Sequence, residues 1–267
     1  MKKLLTLSII FLASISALAQ NDPELFPFRG KDGKVGYKNQ NNKIVVEPQF
    51  RSATGNINGL NYYSVNDENE RDGLLNEKGQ FIIGFEKGFS SIFPLKKDLL
   101  VVVKNDKWGI INEKTEYKVP LLYDEIGTNI TSNLILVSKD KKYGFINENG
   151  EVAIPLMYQF ASEFLDSGFN PSTIAKVQYK NYFGAIDVKN QIIVDFKYDD
   201  IDVRYFPLIF IQKNKKWGMI NTEKKMLIDF SFDYLESLGE EIRGYSKNSS
   251  YLYFFDKNGN KIRTEKQ

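Results

Sequence analysis

Residues 141–155 read KKYGFINENGEVAIP, an aromatic-glycine pair followed by two apolar residues, a polar turn and an aliphatic run that ends at proline. Close echoes of this stretch recur along the 267-residue chain, and a fixed period of 20–50 residues is the signature of a repeat architecture. Aligned on the glycine and the residue before it, the copies are Val35-Gly36, Asp72-Gly73, Trp108-Gly109, Tyr143-Gly144, Phe183-Gly184 and Trp217-Gly218. A seventh copy at Leu252-Tyr253 lacks the glycine. Three residues after each glycine position stands Asn39, Asn76, Asn112, Asn147, Asp187, Asn221 or Asp256. The repeat is therefore about 35 residues long.

Neighbouring residues of a strand point to opposite faces. The pairs Leu74-Leu75, Ile110-Ile111, Phe145-Ile146, Ala185-Ile186, Met219-Ile220 and Phe254-Phe255 place an apolar group on both sides of one strand. Each small sheet is thus expected to be covered on both faces, stacked between copies of itself. Asn147-Glu148-Asn149-Gly150 and its equivalents read as hairpin turns, with Asn/Asp opening the turn and Gly at the left-handed position. Asn42 and Asn190 fill that position in two copies, Asn being the next most tolerant residue there.

After the turn, an aliphatic strand meets Pro48, Pro120, Pro155, Asp195 or Asp229 and then an aromatic at Phe50, Tyr123, Tyr158, Tyr198 or Phe232. Proline cannot donate to a central ladder, so it marks an edge or a departure. The single glycines do not cluster as a phosphate-binding loop requires and read as sites of close approach within a strand. The anchor aromatics are assigned to the seams between units, each lying over a neighbour's glycine. Trp108-Gly109, Tyr143-Gly144, Phe183-Gly184 and Trp217-Gly218, followed by Asn/Asp, the turn, Ile/Val-Pro and Tyr-Asp as in Tyr123-Asp124, resemble the WG-containing repeat family of bacteria. The resemblance runs from about residue 25 to 262; Val35, Asp72 and the glycine-less last copy depart from it. It implies an all-β tandem-repeat fold and no catalytic activity that transfers through the motif. Six to seven small antiparallel sheets suit a propeller-like ring, with an open curved β-repeat stack as the alternative. In a ring, the segment LFPFRG, residues 25–30, is expected to complete the last unit.

Residues 1–19 are set apart from the repeat domain of residues 20–267. Lys2 and Lys3 precede an apolar run from Leu4 to Ile15, and Ala17-Leu18-Ala19 offers small residues for cleavage. This is the pattern of a signal peptide, too short to span a bilayer, and it predicts a secreted or periplasmic protein. There is no cysteine and therefore no lipidation thiol. Without Lys2 and Lys3 the 36 Lys+Arg become 34, equal to the 34 Asp+Glu. A neutral chain lacks the dense basic surface that nucleic acid binding demands. Lys139, Lys141, Lys142 and Lys213, Lys215, Lys216 fall at expected hairpin turns, as solvated edges do.

Absence of both Cys and His removes Cys/His zinc sites, His-ligated haem and Ser-His-Asp or Cys-His catalysis. DKNGNK at residues 256–261 spaces Asp256, Asn258 and Asn260 like calcium ligands. Lys261 stands where such a loop needs Gly and Gln267 where it needs Glu, so no metal or other cofactor is assigned. The 40-residue interval between Gly144 and Gly184 holds an insertion, FLDSGFNPSTIA, residues 164–175, and loops on one face of a repeat array carry binding. Phe164, Phe169 and Asn170 are its candidate exposed recognition groups, for a protein, peptide or glycan. The alternative is a hydrolase-like or cation-binding enzyme using the acidic group Asp195, Asp199, Asp200 and Asp202, although Asp229 and Asp233 repeat two of those positions.

Overall fold

A computed structural model describes residues 24–165 and 174–267, and these build seven antiparallel sheets in sequence order. The fourth sheet shows the plan. A short strand, Glu125–Ile126, pairs with Leu134–Lys139, which pairs with the glycine strand Lys142–Asn147, which pairs with Val152–Tyr158. The third, fifth and sixth sheets repeat it around Lys107–Ile111, Tyr182–Asp187 and Lys216–Ile220. The second and seventh are also four-stranded, whereas the first has three strands.

Two tight turns set the register. In the third to sixth sheets the hairpin before the glycine strand has two residues, both left-handed: Asn105-Asp106, Asp140-Lys141, Lys180-Asn181 and Asn214-Lys215. Turns of that kind match the natural strand twist, and polar residues such as Asn and Asp tolerate the conformation. The expected lysine clusters sit at these solvated tips, with Lys139 opposite Lys142 and Lys213 opposite Lys216. In the hairpin after the glycine strand, Asn147 Oδ1 accepts the amides of Asn149 and Glu151, each at 3.0 Å. Asn39, Asn76, Asp187, Asn221 and Asp256 bind the same pair of amides in their own turns. Asp256 is therefore a turn residue. Asn42, Gly79, Gly150, Asn190 and Gly259 take the left-handed place, as read from sequence, and Thr115 and Lys224 take it in the remaining two units.

The doubly covered sheet is borne out residue by residue. The residue after each glycine faces the following sheet: Tyr37, Leu74, Ile110, Phe145, Ala185 and Met219 each enter the apolar cluster shared with it. The next residue faces the preceding sheet, so Leu75, Ile111, Ile146, Ile186, Ile220 and Phe255 enter the cluster on the other side. Burying one such side chain contributes roughly 1.5–3 kcal/mol, so a seam with six or more dominates the stability of a sheet too small to stand alone. Six clusters join the seven sheets in succession.

Both ends break the rule in the direction solvation demands. Lys38 stands in the first sheet where later units have Leu, Ile or Phe, and its ammonium lies 4.4 Å from the centre of the Phe28 ring. In the last sheet Phe254 faces outward but is only 4% exposed, because the Arg263 guanidinium covers it at 3.8 Å. Glu241 and Glu265 pair with Arg263, and Glu236 pairs with Arg243. Among the described residues no hydrogen bond, ion pair or ring contact joins the seventh sheet to the first. The expectation for LFPFRG is corrected: Leu25–Arg29 pairs with Val35–Asn39 inside the first sheet, and the seventh sheet supplies its own four strands. That first strand is a blunted edge. The Leu25 amide donates to Tyr63 Oη at 3.1 Å, and Pro27 has no N–H to offer.

The anchor glycines have a local cause. Tyr143 pairs with Tyr158 and Phe145 with Ile154, so Gly144 alone opposes Pro155, Leu156 and Met157. The bulged edge strand crosses directly over the glycine. A Cβ on Gly144 would lie 2.6 Å from the Ile154 carbonyl oxygen, and Gly109, Gly184 and Gly218 meet Val119, Val194 and Ile228 in the same way. The covering group is thus the backbone of the glycine's own sheet, which corrects the expectation of a neighbour's aromatic. Pro48, Pro120 and Pro155 lie on these bulged edge strands, where no ladder bond is lost.

The seventh sheet solves the same problem differently. Tyr253 replaces the glycine, and its direct partner is Gly244, where the second to sixth sheets have Val65, Val102, Val137, Val177 or Ile211. Here the neighbour's aromatic does lie over a glycine, since a Cβ on Gly244 would meet the Phe232 ring at 2.7 Å. Gly144→Ala should cost about 1–3 kcal/mol by forcing backbone aside, read from the urea midpoint. Gly55→Ala, with nothing within 4 Å of the added methyl, should stay within about 0.5 kcal/mol of the parent.

Candidate functional site

The aromatic before each glycine faces the residue that ends the bulged strand. Trp108 opposes Tyr123, Tyr143 opposes Tyr158, Phe183 opposes Tyr198 and Trp217 opposes Phe232. Both members pack toward the following sheet, in the seam between units. The next residue carries the chain across. Asp124, Gln159, Asp199 and Asp233 donate their amides to Ser138, Gln178, Gln212 and Tyr245 of the following sheet.

Their side chains then clip that sheet's hairpin. Asp124 Oδ2 accepts the Asp140 amide at 2.7 Å, Asp199 the Asn214 amide at 2.6 Å and Asp233 the Lys247 amide at 2.8 Å. Lys107 and Lys216 close the clip from the glycine strand, 2.5 Å from Asp124 and 2.8 Å from Asp233. These lysines, with the amides they face, hold the two carboxyls below the usual range. Asp124, Asp199 and Asp233 are thereby joints between units.

The remaining acidic residues are also engaged one by one. Asp195 is partly exposed between Lys224 at 2.7 Å and Lys197 at 3.3 Å, which hold its carboxyl low. Asp200 pairs with Lys176, whose ammonium also lies 4.4 Å from the centre of the Phe183 ring. Asp202 takes the Arg204 guanidinium side-on, with Nε at 2.9 and 3.0 Å from its two oxygens. Burial raises the Asp202 carboxyl, but the hydrogen bonds and charge of Arg204 outweigh this and leave it low. A general acid needs a carboxyl that keeps its proton near neutrality, and neither Asp195 nor Asp202 is tuned that way.

Asp200 and Asp202 share one face of the strand Asp200–Asp202, and that face borders a cleft of about 470 Å³ among the fifth, sixth and seventh sheets. Lys176, Arg204, Trp217 and Tyr234 complete its rim, with Val203 and Phe210 in its wall. Tyr234 is 51% exposed. The cleft thus combines an aromatic surface with two ion pairs that cancel. Of the candidates in the insertion, Phe164 is corrected: it is 4% exposed, its ring 4.6 Å from that of Phe145 in the seam between the fourth and fifth sheets. Phe169 and Asn170 lie outside the described residues. Sequence reasoning missed Trp217 and Tyr234 as rim residues because both read as repeat elements; the break in the pattern at Arg204 was the available signal.

Among the described residues no cluster of three or more His, Cys, Asp or Glu has metal-binding geometry, and no helix is long and apolar enough to cross a membrane. A carboxyl with a depressed pKa contributes stability above its ordinary value of 3.8 that disappears as pH falls through the lower folded value. The double variant Asp124→Asn, Asp233→Asn keeps the amide acceptors and should flatten the loss of stability between pH 5 and 2, measured as urea midpoints. An unchanged acid limb would contradict the clip.

No curated protein matches the chain. Among solved structures, a eukaryotic initiation factor is 12% identical with a TM-score of 0.49, covering 91% of this chain and 73% of that one. The dihydro-heme d1 dehydrogenase NirN is 14% identical, with a TM-score of 0.38 and coverage of 91% and 64%. PorZ, a surface component of the type-IX secretion system of Porphyromonas gingivalis, is 8% identical, with a TM-score of 0.32 and coverage of 91% and 38%. Likenesses at this level carry no functional argument. The WG containing repeat matches six successive stretches, residues 36–69, 73–108, 108–143, 143–182, 183–217 and 217–260. These matches span the glycine-centred sheets from the first to the last, and the chain belongs to the WG containing repeat family.

Proposed function

We propose that the chain is an exported, non-catalytic binding module that holds an uncharged polar ligand, a peptide or glycan segment, in the cleft beside Trp217 and Tyr234. The cleft is the observation that carries this reading. Its walls combine repeat residues with the unrepeated Asp202-Arg204 pair, and its polar groups are already neutralised in pairs. A charged ligand would have to break one of those pairs, whereas a neutral one can add hydrogen bonds to their free edges and stack on the tyrosine. Export rests on the Lys2-Lys3, Leu4–Ile15 and Ala17–Ala19 pattern of the first nineteen residues. The acid-base alternative finds its carboxylates tied to Lys197, Lys224, Lys176, Arg204 and the Asn214 amide.

The test is a screen of neutral oligosaccharides and of peptides against the full chain, followed by titration of the retained probe. Tyr234→Ala, at an exposed position, should weaken binding at least tenfold and leave the thermal midpoint unchanged. Unaltered affinity would reject the cleft, and conversion of the probe into product would favour the enzyme.

A further inference from the structure

The second unit departs from the repeat in a way that only its chemistry makes sense of. Where later units place Trp108, Tyr143, Phe183 or Trp217, it has Asp72, whose amide donates to the Phe89 carbonyl at 2.8 Å. The seam that an aromatic fills elsewhere opens here into a cleft of about 750 Å³ between the second and third sheets. Buried tyrosines take over the apolar contacts nearby, Tyr37 and Tyr63 ring to ring at 5.6 Å and Tyr62 against the third sheet.

Asp72 is half-buried and has no cationic partner. Its Oδ2 accepts the Ile92 amide at 2.9 Å, and its Oδ1 accepts the Asn66 side-chain amide. Both donors are neutral. Asp124, Asp195, Asp200, Asp202 and Asp233 have a Lys or Arg, and Asp199, which has only the Asn214 amide, is exposed to water. A carboxylate offers about four acceptor sites, so two remain free. Burial is the main influence on this carboxyl and pushes it above the ordinary value, the mark of a charge left undercompensated.

The surroundings define what would compensate it. Arg51 and Glu70 are the other charged groups on the cleft wall, and they pair with each other at 2.7 Å, so the cleft carries one net negative charge. Ser52, Ser90 and Ser91 supply hydroxyls that donate to Asn66, Val103 and the Ser90 carbonyl and so face a ligand as acceptors, and no apolar residue lines the cleft. Asp72 also lines a second hollow, with Ile57, Ile92, Phe93 and Pro94 and no other charged residue, which Ser52, Ser90 and Ser91 do not border. A lysine side chain needs apolar surface for its four-carbon stem. A compact ring that carries an ammonium among hydroxyls does not.

We propose that this cleft binds an amino sugar, with the sugar ammonium on Asp72 and its hydroxyls on Ser52, Ser90 and Ser91. The site is separate from the one beside Trp217, so either can fail alone. The probes are a glucosamine trimer, its fully N-acetylated counterpart and a lysine blocked at both ends, titrated calorimetrically at pH 6 against the full chain. The amino trimer should bind at least tenfold more tightly than the acetylated one and than blocked lysine. Asp72→Asn, which keeps an acceptor for the Ile92 amide, should remove that preference, and Ser91→Ala, which leaves both Asp72 hydrogen bonds intact, should weaken the amino trimer severalfold. Equal binding of the two trimers, a preference for blocked lysine, no binding of the amino trimer, or full affinity in both variants would each overturn the proposal. If Asp72→Asn does not fold, the trimer comparison on the parent chain and the Ser91→Ala titration decide it.

Discussion

A missing Cβ is the constraint from which the rest of this structure follows. The fourth strand of a unit bulges across the glycine strand with a carbonyl about where a methyl group would stand. That crossing lets one residue oppose three, turns the edge strand away from its sheet and delivers its terminal aromatic opposite the anchor aromatic. The chain then steps to the next sheet through a single backbone hydrogen bond, and the following Asp or Gln fixes the next hairpin. Glycine, proline, aromatic and aspartate are therefore one device. A seam of buried aliphatic side chains supplies the stability, but the bulge sets where the seam falls.

Much of this was legible because period-two geometry leaves little freedom. Phe145 and Ile146 can both be buried only if the sheet is covered twice, and Asn147 with Gly150 can only turn the chain. The partner of the glycine was not legible, since a lone Gly signals close approach without saying by what. Only the pairing register identifies the carbonyl of Ile154. The exchange of Val-Gly for Gly-Tyr in the seventh sheet, Gly244 opposite Tyr253, was hidden for the same reason: it links two strands by volume rather than by motif. Phe164 misled because an insertion reads as a connector, yet its first aromatic closes a seam.

The possible sites follow from the same logic. Residues that obey the repeat are consumed by the seams and clips, including Asp199 and Asp233. What remains is where a unit departs from it, at Arg204 beside the sixth sheet and at Asp72 in the second. The first departure makes a neutral cleft edged by aromatics, the second a polar cleft with one uncompensated charge. At the array ends the departures are of another kind, Lys38 and Arg263 laid over Phe28 and Phe254.

If each unit is an interchangeable sheet defined by its glycine crossing, a whole period can be removed. Deleting residues 144–183 joins Tyr143 to Gly184 and puts Ile186 in the seam position of Ile146, keeping every later contact in register. Six sheets should form and unfold in one cooperative transition, with an undiminished β-sheet circular dichroism per residue. Deleting only half a period, residues 148–165, which removes the bulged strand Val152–Tyr158 and leaves its glycine strand in place, should not fold. Equal folding of the two deletion chains, or failure of the in-register one alone, would contradict the interchangeability of the units.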